Sequence, residues 1–338
     1  MKAIALTHYL PISDENSLFD TELPKPEPQG RDLLVRVEAI SVNPIDTKVR
    51  SPKEKVESAP RVLGWDAAGV VEAVGPAVTA FKPGDEVWYA GDITRAGSNA
   101  EFQLVDERIV SLKPRTLTFA EAAALPLTAI TAWEGFFEHL GIDRNGGSKG
   151  RTLLIVGGAG GMGSIAIQLA KLAGLKVMAT ASRPETVAWV EVLGADVVLN
   201  HHLPLPEQLA AAGHPEVDYI ALFTAPDPYW PALVKMIRPM GRIVGIVDAK
   251  APVDLTLLKI KSASFAWEFM FARSMYQSPD MAAQGALLSE VAALVDAGKL
   301  RTTLTETLSP IHAANLRTAH AKLESGRTIG KLVLSGWA

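Results

Sequence analysis

The sequence predicts an α/β protein in which a doubly wound parallel sheet is joined to a second, β-rich domain. Three observations carry that expectation. Residues 151–183, RTLLIVGGAGGMGSIAIQLAKLAGLKVMATASR, read as strand, glycine turn, helix and strand. After them helical and extended segments alternate as far as residue 247, the spacing of a parallel sheet covered by helices. Before them, short β-branched runs are separated by glycines and turn residues, as in a strongly curved antiparallel sheet.

The glycine unit organises the rest. Residues 153–156 form a short apolar run stopped by glycine, which suits a strand buried on both faces. Gly158, Gly160 and Gly163 then occupy the positions of a G-x-G-x-x-G turn. Ile165, Ile167, Leu169 and Leu172 continue with helical spacing, and Gly174 suits the C′ position that ends the helix. Glycine is needed in such a turn because a pyrophosphate must approach the main chain without a Cβ in its way. The N–H groups and positive end of the helix hold the anion. A flexible glycine loop is the bland reading of the motif, and the flanking strand and helix argue against it.

The second strand, residues 176–180, ends where an adenosine ribose should lie. A cofactor without a 2′-phosphate favours Asp or Glu there. This chain has Ser182 and Arg183, a hydroxyl and a planar fork of donors suited to a 2′-phosphate, so the expected cofactor is NADPH. The same residues also read as a helix start, with Ser182 as N-cap and Pro184 near the first helical position.

At 338 residues, 48% of them hydrophobic, with a formal net charge of −4, the chain is long enough for two domains. No basic run or basic half suggests a nucleic-acid partner. No secretory leader and no membrane span is expected, and residence in the cytoplasm is the economical expectation. There is no cysteine, which removes disulfides, thiol catalysis and thiolate metal sites together.

In chain order, residues 1–7 and 31–40 alternate as half-buried antiparallel strands, with a proline-rich extended connection between them. In SVNPIDTKVR, Asn43 and Asp46 fall at a turn-to-helix junction, where turn formation and helix capping are the ordinary roles. Residues 62–89 hold glycine-separated strands, and residues 119–140 two helices broken near Pro126. Past residue 183, helix and strand alternate. Residues 263–270 read as an edge strand, 282–297 as a helix ending at Gly298, and 331–334 as a final strand.

The motifs SVNPIDTKVR, GWDAAGVVEAVGPAVTAFKPGDEV, LPLTAITAW, VGGAGGMGSIAIQLAK and GRTIGKLVLS follow one another across nearly the whole chain. In that order they resemble the medium-chain dehydrogenase/reductase superfamily, and within it the zinc-free quinone oxidoreductase-like branch. The resemblance implies a GroES-like catalytic domain over residues 1–122 and 263–338 and a Rossmann NADPH-binding domain over 123–262. It puts Gly158, Gly160, Gly161, Met162 and Gly163 at the pyrophosphate, and Ser182 and Arg183 at the 2′-phosphate. His201 stands where many relatives have a phosphate-binding tyrosine. Phe223 and Thr224 would end the fourth strand, and Ile246 and Val247 would lie beside the nicotinamide. Asn43 and Thr131 would position nicotinamide and substrate, with Asp46 ordering the loop that carries Asn43. A homodimer through the sheet edge is also implied.

Zinc-dependent relatives place metal ligands at positions that here hold Ser41 or Val42, Trp65 with Asp66, and residues 125–128, from which no His₂Glu or Cys₂His set can be assembled. No zinc is therefore expected. Without a Lewis acid, reduction of a conjugated acceptor suits the chain better than alcohol oxidation, because charge can spread onto the acceptor's oxygen as hydride arrives. The expected activity is NADPH-dependent, zinc-independent reduction of quinones or α,β-unsaturated carbonyls. The alternatives are a zinc-type alcohol dehydrogenase and a non-catalytic NADPH-binding sensor or structural protein.

Overall fold

The structure, a computed structural model, describes residues 1–337. It divides into two compact units, Met1–Leu127 with Phe271–Ala338, and Thr128–Met270.

The first unit opens with β1 (Lys2–Tyr9), β2 (Phe19–Glu22), β3 (Asp32–Ser41), helix α1 (Pro44–Arg50) and β4 (Lys53–Val62). β5 (Asp66–Val74), β6 (Glu86–Tyr89), β7 (Phe102–Asp106), β8 (Val110–Leu112) and α2 (Phe119–Ala123) follow, and α3 (Pro126–Trp133) begins at the end of this stretch and continues into the second unit. β4 runs through KEKVESAPRV and is almost wholly exposed, so it lacks the apolar alternation that marks a strand in sequence. It is held by antiparallel pairing to β1, from Ala5 opposite Val62 to Tyr9 opposite Lys53, in a sheet ordered β2-β1-β4. Gly69 lies where β5 crosses β3: an added Cβ would sit 2.2 Å from the carbonyl oxygen of Arg36.

The second unit carries β9 (Thr152–Val156), α4 (Gly161–Leu172), β10 (Lys176–Thr180), α5 (Pro184–Val192), β11 (Val197–Leu199) and α6 (Leu205–Ala211). It continues with β12 (Val217–Leu222), α7 (Trp230–Met236), β13 (Ile237–Gly245) and β14 (Ser264–Trp267). These strands form one six-stranded parallel sheet ordered β11-β10-β9-β12-β13-β14. The order reverses beside β9, which is the topological switch point of a Rossmann fold. Leu154, Val156, Met178, Ile220, Leu222 and Ile243 pack against Leu209, Trp230 and Leu233 of the covering helices. Full burial of each of those side chains contributes roughly 1.5 to 3 kcal/mol.

The chain then returns to the first unit through α8 (Ala272–Met275), α9 (Ala283–Asp296), β15 (Leu304–Leu308), α10 (Ala313–Glu324) and β16 (Lys331–Ser335). β16 pairs antiparallel with β3, Val333 opposite Ser41, and completes a seven-stranded sheet ordered β15-β16-β3-β5-β6-β8 with β7 on β3. Among the described residues no helix is long and apolar enough to cross a membrane.

Candidate active site

In the second unit, the carboxyl ends of the parallel strands gather the cofactor residues the sequence singled out. Each glycine of the turn has its own reason. A Cβ on Gly163 would sit 2.2 Å from the carbonyl oxygen of Gly158, and one on Gly158 would sit 2.9 Å from Cβ of Ala179, so both serve chain packing. A Cβ on Gly160 would meet nothing within 4 Å. Gly160 is the N-cap of the twelve-residue α4, so the open side of the turn coincides with the positive end of a helix. Gly161 and Met162 form the first turn of that helix and are half-buried.

Ser182 and Arg183 lie just past the end of β10. The N-cap of α5 is Arg183, one residue later than the serine expected from sequence, because Pro184 takes the first helical position. The Thr186 hydroxyl accepts from the Arg183 N–H at 3.0 Å and donates to the Arg183 carbonyl at 2.7 Å. The Arg183 guanidinium meets Glu185 at 3.2 Å, a partly exposed pair. Ser182 Oγ lies 3.4 Å from His201 Nε2, so Ser182, Arg183 and His201 share one corner. Burial and the neighbouring His202 hold the His201 imidazole below its ordinary pKa. Phe223 follows β12, its N–H donating to the Val156 carbonyl at 3.0 Å, with Thr224 next. Ile246 and Val247 follow β13. All four are half-buried.

In the first unit, the residues around Asn43 form a buried polar network. Asn43 is the N-cap residue of α1, and Asp46 three positions on accepts from the Asn43 N–H at 2.7 Å. The Asn43 side chain turns elsewhere: Nδ2 donates to Asp66 Oδ2 at 2.8 Å, and Oδ1 accepts from Lys331 Nζ. Lys331 also donates to the Val42 carbonyl and to Asp66 Oδ2, each at 3.0 Å, so its three protons are all used. The second Asp66 oxygen accepts the Leu127 N–H at 2.7 Å and so caps the first turn of α3. Thr131 sits one turn further along that helix, in the second unit, and is buried. The ion pair of Lys331 and Asp66 is buried on both sides, which costs desolvation that full hydrogen bonding has to offset. Burial drives the Asp46 carboxyl up to about 7, against the lowering effect of the Asn43 N–H and Lys331.

Lys331 was not singled out as a site residue from sequence, although it stands in GRTIGKLVLS. The signal available was a lysine opening an apolar strand and an aspartate opening another, a charge pair in waiting. The residues at the positions of the zinc ligands do not fit that metal. Ser41 donates its hydroxyl to the Leu332 carbonyl, Trp65 packs edge-on against Phe271, and Asp66 is committed to an ammonium. Among the described residues no group of three or more His, Cys, Asp and Glu side chains comes together.

Comparison with known proteins gives the same architecture. Residues 29–126 match the alcohol dehydrogenase GroES-like domain, and residues 193–334 match the zinc-binding dehydrogenase family. A zinc-type alcohol dehydrogenase-like protein of Staphylococcus aureus is 47% identical over 324 residues, covering 95% of this chain and 96% of its own. The chain belongs to the medium-chain dehydrogenase/reductase superfamily. Its place in the quinone oxidoreductase-like branch, and with it an oxidoreductase activity, agrees with a quinone oxidoreductase of Pseudomonas syringae. That structure superposes on this one with a TM-score of 0.83 at 27% identity, covering 99% of each chain. A Rhizobium etli protein provisionally described as a zinc-dependent alcohol dehydrogenase superposes on this medium-chain dehydrogenase/reductase with a TM-score of 0.96 at 52% identity, covering 100% of this chain and 98% of its own.

Proposed function

We propose that the protein is an NADPH-dependent, zinc-independent reductase of quinones or α,β-unsaturated carbonyls. One observation carries the metal-free part of the reading: the Lys331 ammonium is bonded to Asp66, the acid that stands in the zinc-ligand segment. A cation already paired there repels a second one. The NADPH part is supported by the absence of any acid at residues 181–183 and by Arg183 and Ser182 in its place.

NADPH, when bound, supplies the hydride. In this reading Arg183 and Ser182 hold the 2′-phosphate, with His201 beside them. The N–H groups of residues 160–163 hold the pyrophosphate at the N-terminus of α4. Phe223, Thr224, Ile246 and Val247 wall the nicotinamide side of the sheet end. Asn43 and Thr131 act as positioning residues: Asp66 and Lys331 fix the first, and Asp66 caps the helix that carries the second. Asp46 orders the Asn43 loop. A homodimer formed along β14 would cover Trp267 and Phe269, which are half exposed there.

The test is steady-state NADPH oxidation with a simple quinone and an aliphatic enone, with and without chelator. Turnover that prefers NADPH over NADH and ignores the chelator is expected. An R183A variant should lose about tenfold to a hundredfold in NADPH affinity and little in NADH affinity. Chelator-sensitive alcohol oxidation, or equal loss for both cofactors, would overturn the reading.

A further inference from the structure

Two parallel strands of the second unit end side by side and deliver three polar residues to one corner. In the pairing of β10 with β11, Thr180 lies opposite Leu199, so Ser182 and His201 leave their strands in step. Ser182 Oγ and His201 Nε2 are 3.4 Å apart, and Arg183 follows Ser182 directly. All three residues are half-buried, so the corner is reached from solvent.

The charged groups around the His201 imidazole are few. His202 is exposed, with its ring centroid 4.4 Å away. The start of α5 brings Arg183 and Glu185, which are paired with each other at 3.2 Å, and Glu191 lies near the far end of that helix. α6 brings Glu207, which is exposed. Lys176 opens β10 and Asp196 precedes β11, both at the amino ends of the strands, where Asp196 is paired with Lys171. Among the described residues no carboxylate is paired with His201, and its ring is within hydrogen-bond reach of Ser182 alone. Burial and His202 both disfavour the imidazolium, so the free protein holds this ring neutral near pH 7.5.

A phosphate monoester changes that balance. Its second ionisation is complete at pH 7.5, so it brings close to two negative charges and offers only acceptors. An imidazole edge beside such a group is favoured as a donor, and the opposite charge favours the imidazolium. NADH carries no phosphate at that position and leaves the ring as it was.

We propose that His201 couples cofactor choice to pH: it takes up a proton from solvent when the 2′-phosphate of NADPH settles beside Ser182 and Arg183, and takes up none when NADH binds. The inference rests on the reading of this corner as the 2′-phosphate site. Because the complex holds the extra proton, NADPH affinity falls as pH rises, by up to about tenfold per pH unit inside the window, while NADH affinity stays level.

The test is calorimetric titration of the full chain with NADPH and with NADH at pH 7.5, in two buffers of unlike ionisation enthalpy, which counts the protons taken up. Uptake of about half a proton or more is expected with NADPH and none with NADH. An H201Q variant should bind NADPH without proton uptake, whereas H202Q should retain it. As a second readout, the His201 ring nitrogens, assigned by comparison with H201Q, should move to imidazolium chemical shifts on addition of NADPH and not of NADH. The proposal is overturned, with the 2′-phosphate reading left standing, if NADPH binds more tightly than NADH but takes up no proton, if uptake persists in H201Q, or if H202Q abolishes it. If NADPH binds no more tightly than NADH at any pH, the 2′-phosphate reading fails and this inference fails with it.

Discussion

Two buried titratable groups of the first unit give pH dependences of stability with opposite sign, and removing either should expose the other. Burial raises Asp46 from an ordinary value of 3.8 to about 7. Between those limits the folded chain holds more of that proton than the unfolded chain, so stability falls as pH rises through the window. His320, on α10, is fully buried with both ring nitrogens unpartnered, and burial together with the Arg50 charge lowers it from 6.5 to about 3. There the folded chain holds fewer protons, so stability rises with pH up to about 6.5. Each group contributes about 1.4 kcal/mol per pH unit inside its window, on the order of 4 kcal/mol in full. From about pH 4 to 6.5 the two slopes cancel. The perturbations are D46N, whose amide oxygen can still accept the Asn43 N–H, and H320L, which removes an unpaired imidazole for an apolar side chain of similar size. Urea unfolding across that pH range is the assay. D46N should become more stable with rising pH and H320L less stable, while the unmodified protein stays flat with respect to these groups. Parallel profiles for all three proteins would refute the linkage, whatever constant offsets the substitutions introduce.

Three further outcomes follow from the geometry. A K331M variant strands the Asp66 carboxylate in the interior and should lose about 3 to 5 kcal/mol of stability, whereas K331M combined with D66N should recover much of it; equal losses in urea unfolding would show that the buried charge is not the cause. G160A should keep the melting temperature of the parent while NADPH affinity falls, because its methyl enters open space at the helix end; G163A should melt lower because its methyl meets the Gly158 carbonyl, and calorimetry of both separates the roles. E185Q frees Arg183 from an exposed partner worth less than about 1 kcal/mol, so NADPH should bind up to about fivefold tighter with NADH unchanged, as measured by fluorescence titration.

What the sequence made legible was local. The glycine turn, its two strands and its helix are specified within about thirty residues, so period and turn chemistry suffice to place them. The edge strand β14 and the break of the helices at Pro126 were readable for the same reason. β4 was not, because its residues are polar on both faces and only the partner strand β1 makes them extended. The site divides in the same way. Ser182, Arg183 and His201 meet because β10 and β11 are adjacent parallel strands, a consequence of the alternation itself. Lys331 reaches Asn43 across 288 residues, through the pairing of β16 with β3, and no local pattern encodes a contact of that range.

That long-range lysine also constrains the chemistry. A bound dication lends a vacant coordination position to a reacting oxygen, but an ammonium whose three protons already meet Val42, Asn43 and Asp66 has none to lend. Its charge can only fix the groups around it. Asn43 is held in turn, with Oδ1 on Lys331 and Nδ2 on Asp66, so it shapes the loop and its dipoles and does not serve as a mobile acid or base. A site built in this way stabilises a localised alkoxide poorly. A quinone or enone asks less of it, because the incoming hydride's charge spreads over a conjugated system before it reaches oxygen, and fixed dipoles with one or two positioned donors are enough. On the proposed function, the buried network would favour a conjugated acceptor, because it withholds the stronger electrostatic help that a simple carbonyl would need.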